Sequence, residues 1–149
     1  MANLKFSESL IIRASAEQIF HFTQDYDRRL SWDTFLTQAY LINGATEADT
    51  GVKAYCVAKN GLGMETEYVS FQPPKVTAIK MTKGPYLFRS FLGSWTFKKR
   101  ADNETEVVFL YAFSLRFPFN MMGRMIKMVL QNNVRQRLRD LKKCMEINR

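Results

Sequence analysis

The sequence predicts an α+β fold in which a curved antiparallel β-sheet of six to seven strands wraps around a long C-terminal α-helix, with two short helices after the first strand. Three observations predict it: a helix-capping signal behind one early strand, a series of short strand-like segments separated by turn residues, and a helical pattern that runs on after Pro118. The chain has 149 residues, 46% of them hydrophobic and 24% charged. That length and balance suit a single domain, 1–149, with a core of its own.

Phe6 to Ile12 alternates as a strand does, with Phe6, Leu10 and Ile12 on one face and Glu8 as the exception. Ser15 followed three residues later by Gln18 is a capping-box pattern, in which the two side chains satisfy each other's free amides at a helix start. The helix it opens should bury Ile19, Phe20 and Thr23 and break near Asp25, and a short helix or turn should carry Tyr26 to Asp33. The strand-like segments follow as an antiparallel meander: Phe35 to Ile42, Val52 to Ala58, Met64 to Phe71, Val76 to Met81, Tyr86 to Lys99 and Thr105 to Phe117. Asn60-Gly61 marks a hairpin, because both residues tolerate positive φ. Pro73-Pro74 ends a strand, because proline donates no ladder hydrogen bond.

After Pro118 the apolar stripe changes direction. Met122, Met125, Ile126 and Val129 share one helix face, whereas Val134, Leu138, Leu141 and Met145 lie about a third of a turn away. The shift falls at Gln131-Asn132-Asn133, which predicts a bend or a change of packing partner there. The formal net charge is +8, and Arg124, Lys127, Arg135, Arg137, Arg139, Lys142, Lys143 and Arg149 all follow Pro118, opposed only by Asp140 and Glu146. A solvated helix face explains these cations, and an anionic surface or partner is the alternative.

Other function classes find little footing. His21 is the one histidine, and Cys56 and Cys144 have no close-spaced ligand partners, so no metal site and no cofactor is expected. Asn60-Gly-Leu-Gly63 lacks the strand-to-helix setting of a phosphate loop. The aromatics share strand faces with aliphatics, which argues against a nucleic-acid partner. The cysteines are distant, no secretory pattern precedes the first strand and no apolar stretch approaches a membrane span, so the expected location is cytoplasmic.

The order of elements, together with Ile12-Arg-Ala-Ser-Ala-Glu-Gln-Ile-Phe20, Asp25-Tyr26, Trp32, Gly51, Phe71-Gln-Pro-Pro74, Glu104-Thr-Glu-Val107 and the ending Leu138 to Glu146, resembles the helix-grip proteins of the START-like (SRPBCC) superfamily. Within it the chain is similar to polyketide cyclase/dehydrase-like and coenzyme Q-binding proteins. The resemblance implies a cavity between the sheet and the long helix, and with it a hydrophobic or amphipathic small-molecule ligand such as a lipid, a quinone or a polyketide-like compound. A cyclase/dehydrase-type enzyme and an interaction protein that docks through its basic C-terminal helix, a peripheral membrane contact included, are the alternatives. The fold does not select among them.

For such a cavity the candidate lining is Phe91, Trp95, Phe109 and Tyr111 on the strands and Met122, Met125, Ile126 and Val129 on the helix. Strand parity adds two charges: Arg89 shares the odd-numbered face of Phe91, Trp95 and Phe97, and Glu67 that of Val69 and Phe71. If both faces line the concave side, Arg89 and Glu67 point into it and need a partner. If a β-bulge breaks the parity, both are surface residues. An enzyme would draw on Arg89, Glu67, Tyr68 or Tyr111 for proton transfer or enolate stabilisation. Met121, Met122, Met125 and Met128 form a soft wall, either an adaptable lid or ordinary packing.

Overall fold

The computed structural model describes residues 3–147, so Arg149 of the basic tail lies outside the described residues. Strand β1 (Leu4–Ile12) leads into helices α1 (Ala16–Gln24) and α2 (Arg29–Trp32). Strands β2 (Leu36–Leu41), β3 (Lys53–Ala58), β4 (Gly63–Gln72), β5 (Val76–Lys83), β6 (Phe88–Ala101) and β7 (Glu104–Leu115) follow. A 3-10 turn (Phe119–Met122) then precedes α3 (Gly123–Ile147). The sheet has seven strands in the order β1-β7-β6-β5-β4-β3-β2. Every pairing is antiparallel, and Leu4 to Ile12 of β1 run against Phe113 to Thr105 of β7. The two short helices therefore carry the chain from one edge of the sheet to the other, and the meander brings it back.

Local chemistry sets the junctions. The Ser15 hydroxyl accepts from the Gln18 amide at 3.2 Å, and the Ser15 amide donates to Gln18 Oε1 at 3.2 Å. This closes the capping box and starts α1 where the sequence places it. The β3–β4 turn has Gly61 at φ 90°, and the Asn60 side chain accepts from the Leu62 amide at 2.9 Å. Glu8, the charged exception on β1, accepts from Arg135 Nε of α3 at 2.7 Å.

The core is an aromatic stack on the concave face. Trp95 and Phe109 are directly opposed across β6 and β7, with ring centroids 3.9 Å apart. Phe97 stacks on Trp95 from the same strand, and Trp32 of α2 meets Trp95 edge-on at 6.0 Å. Gly93 faces Tyr111 in the ladder, and a Cβ there would lie 3.2 Å from the tyrosine ring. The absent side chain is what admits that ring.

Helix α3 is one continuous α-helix across Gln131-Asn132-Asn133, and what changes there is its partner. Beyond that point it buries Val134, Arg137, Leu138 and Leu141, largely along β1. Before it, Met125, Met128 and Val129 are more than half exposed. The helical residues Phe119–Met122 expected from the sequence form the 3-10 turn instead. A Leu141→Ala variant should lose about 2–4 kcal/mol of stability, read from the midpoint of urea unfolding, because it opens a cavity in fully packed surroundings. Met128→Ala should change stability by no more than about 0.5 kcal/mol, as expected for an exposed position.

Candidate functional site

Between the concave face and the first half of α3 lies a cavity of about 340 Å³. Its walls are largely apolar: Ile79, Leu87, Phe88, Phe91, Trp95 and Phe109 from the sheet, and Met125, Ile126, Val129 and Leu130 from α3. Met125 is 55% exposed and Val129 53%, which marks the open side. Polar groups gather against α1 and α2, where Gln24, Tyr26, Arg29, Tyr68, Tyr111 and Arg137 reach the cavity surface.

That polar end is built on Asp33, the fully buried residue that follows α2. Arg137 of α3 grips it with two bonds, Nε to Oδ1 at 3.1 Å and Nη2 to Oδ2 at 2.8 Å. Arg29, one turn earlier on α2, adds Nε to Oδ2 at 2.9 Å. The third donor of Arg137, Nη1, reaches the Tyr111 hydroxyl at 2.5 Å. Both guanidinium groups also lie over rings: Arg29 over Trp32 at 5.2 Å, and Arg137 over Phe35 and Phe109 at 5.1 Å each. Beside them runs a second chain, in which Tyr68 donates to Gln24 Oε1 at 2.6 Å and shares a 2.9 Å bond with the Tyr26 hydroxyl.

The electrostatics follow from burial and pairing. Burial alone would push the Asp33 carboxyl up, but Arg137 and Arg29 outweigh it and hold the carboxyl below its usual range. For Arg137 burial opposes the charged form, and Asp33 and Tyr111 overcome it, so its pKa rises. Arg29 behaves likewise, with Asp33 the main support. Burial pushes up the phenols of Tyr26 and Tyr68 and the thiol of Cys56, all on the cavity surface.

The residues anticipated from the sequence divide. Phe91, Trp95, Phe109, Tyr111, Met125, Ile126 and Val129 come together around the cavity. Met122 does not; it lies in the 3-10 turn and is exposed. Glu67 and Arg89 do not line the cavity either, and the reason is two bulges. The β4–β5 register slips between Tyr68 and Ser70, leaving Val69 as an extra residue. The β6–β7 register slips between Phe88 and Ser90, leaving Arg89 as one. Each extra residue inverts the parity behind it. Thr66 and Tyr68 therefore line the cavity while Glu67 sits in the ladder between Lys53 and Lys80, and Phe88 lines it while Arg89 is exposed. Arg137, grouped by sequence with the solvated cations, is 4% exposed. Its position three residues after Val134 and four before Leu141 places it on the buried stripe, which was the available signal. Arg29 and Asp33 form a pair four residues apart around Trp32 that composition and strand parity do not single out.

Three other basic residues of α3, Arg135, Arg139 and Lys142, have partners in their own chain. Arg135 bonds Glu8, and Lys142 donates to Glu146 at 2.7 Å and to the Ile11 carbonyl at 2.8 Å. Among the described residues no group of three or more His, Cys, Asp or Glu could hold a metal ion, and no helix is long and apolar enough to cross a membrane.

Asp33→Asn should cost about 3–5 kcal/mol, because it leaves two buried guanidinium groups without their counter-charge. A carboxyl whose pKa is lowered by folding stabilises the fold fully above its unfolded value, and that share is lost as pH falls through the folded one. Wild-type unfolding midpoints should therefore drop from about pH 5 downward, and the Asn variant should lack that part of the pH dependence.

Residues 3–146 match the family described as polyketide cyclase / dehydrase and lipid transport. No curated protein matches the sequence. Among solved structures, a START superfamily protein of Mycobacterium smegmatis superposes with a TM-score of 0.82 at 12% identity, covering 97% of this chain and 99% of that one. The Zhui aromatase/cyclase of a Streptomyces species gives 0.82 at 14% identity, covering 97% and 94%. A major latex-like protein of Panax ginseng gives 0.74 at 12% identity, covering 96% and 97%. At such identities the structures attest the fold, and the family match spans nearly the whole sequence. The chain belongs to the polyketide cyclase/dehydrase and lipid-transport family, and its fold is that of the START superfamily structure it superposes on.

Proposed function

We propose that this protein binds a hydrophobic or amphipathic small molecule, of lipid, quinone or polyketide-like chemistry, without covalent reaction. The observation that carries the reading is the cavity of about 340 Å³, apolar along its walls and polar at one end. That is the composition of a small-molecule site, in which burial of carbon surface supplies affinity and a few polar groups orient the ligand. The family description is compatible, since cyclases, dehydrases and lipid carriers all take molecules with extended carbon frameworks.

The catalytic alternative needs a group that changes protonation state near neutral pH within reach of the substrate. Around this cavity the shifts run the other way. Burial drives the phenols of Tyr26 and Tyr68 and the thiol of Cys56 upward, and pairing with Asp33 keeps Arg29 and Arg137 charged. Two of the four residues that an enzyme would have used, Glu67 and Arg89, do not line the cavity. The geometry favours holding a molecule over transferring its protons.

Ala58 lines the cavity from the end of β3, and a ring placed there would occupy the space. Ala58→Phe should weaken binding of a neutral apolar dye, N-phenyl-1-naphthylamine, by about tenfold or more, with thermal stability preserved or raised. Unchanged dye affinity in a folded variant would place the binding elsewhere.

A further inference from the structure

The polar end of the cavity carries an uncompensated charge. Arg29 is 7% exposed and Arg137 4%, so both guanidinium groups are withdrawn from solvent. Asp33 is the one carboxylate in contact with either among the described residues. Two positive charges thus share one negative charge, with one positive charge left over. The other ionisable neighbours do not redress this. Tyr26, Tyr68 and Cys56 are all held in their neutral forms by burial, and Tyr111 serves as the acceptor for Arg137.

The two arginines are not equivalent. Arg137 directs all three kinds of donor into the protein, Nε and Nη2 to Asp33 and Nη1 to Tyr111. Arg29 gives Nε to Asp33 and has the Tyr26 hydroxyl as a further side-chain partner, and the residue, flanked by the rings of Tyr26 and Trp32, forms part of the cavity surface. An excess positive charge in an apolar chamber is costly unless an anion meets it, and a planar guanidinium meets a carboxylate-like group particularly well.

We infer that the ligand is a monoanionic amphipath whose negatively charged oxygen group, a carboxylate or an ionised phenol, binds Arg29 at the closed end while its apolar body lies along Trp95, Phe91 and Met125 toward the open side. This rests on the proposed binding function and adds the chemistry of the head group. A neutral compound of the same shape would fill the walls and leave the charge unmet.

The test is displacement of N-phenyl-1-naphthylamine by decanoate and by decanol, two probes that share a chain and differ in charge, near neutral pH and at physiological salt. Decanoate should displace the dye at about one-tenth the concentration of decanol or less, the gain expected of a desolvated charge-assisted bond. Arg29→Gln should abolish that preference, bringing the two probes to within about twofold of each other. Arg124→Gln, which removes an exposed cation of α3 outside the cavity lining, should leave the preference intact.

Equal displacement by the two probes, or a preference for decanol, would overturn the head-group inference and leave the binding function standing. Loss of the preference in Arg124→Gln would also overturn it, by moving the anion to the surface. Failure of the dye and both probes to bind the wild-type protein would overturn the binding function and this inference together. The wild-type comparison of acid against alcohol decides the matter even where Arg29→Gln does not fold.

Discussion

The contact between Asp33 and Arg137, 104 residues apart, is the constraint on which the rest of the molecule depends. Asp33 closes α2, so the bond fixes where the short helices stand relative to the long one. A buried ion pair adds little net stability over a well-packed apolar contact of the same size. What it adds is position, because both carboxylate oxygens must meet the guanidinium fork at once, and a rotation or one-turn slip of α3 would leave charges buried alone. The pair therefore sets the register of the helix across the sheet. The cavity is the space that this register leaves open beside Met125 and Val129.

Much of this frame was legible in the sequence because it rests on local rules. Ser15 and Gln18 announced α1, Asn60-Gly61 the β3–β4 turn, and Pro118 the end of β7, and each depends on neighbours a few residues away. The aromatic wall was legible too, since Phe91, Trp95, Phe109 and Tyr111 keep a period of two beyond any bulge. What escaped were features decided by distant parts of the chain. Nothing near Val69 or Arg89 announces an extra residue, because a bulge is a mismatch between two strands and one strand alone does not contain it. Arg137 has the composition of the solvated face and the spacing of the buried one. Only the presence of Asp33 across the core makes burial tolerable, and that juxtaposition is tertiary.

Where the charges lie also bears on why the chain is so basic. Arg137 is consumed inside, and Arg135 and Lys142 tie α3 to Glu8 and to the Ile11 carbonyl of β1 and to Glu146 of its own last turn. Pairs of that kind on the surface contribute little individually and weaken with salt. Their arrangement along one seam nevertheless opposes sliding of α3 over β1, the same motion that the buried pair opposes from inside. A net positive charge thus coexists with a helix whose second half is turned inward, and charge count alone is a poor guide to an external partner.

The two halves of α3 are held by different means, and this division reconciles a stable fold with an open cavity. The second half packs Val134, Leu138 and Leu141 into the core and anchors on Asp33. The first half has the cavity where a core would otherwise be, and its exposed side chains Met125, Met128 and Val129 gain little from the fold itself. A void forfeits the dispersion contacts its lining would otherwise make, so it persists only where the surrounding frame does not rely on them. Here that frame is the aromatic stack of Trp32, Trp95, Phe97 and Phe109, which closes the sheet side and to which the first half of the helix adds only the partly buried Ile126 and Leu130. Methionine suits the remaining wall, because an unbranched thioether can repack around an occupant at small cost. The rigid side of the cavity is aromatic and carries the charge, and the side that can adapt is the half of the helix with least to lose by moving.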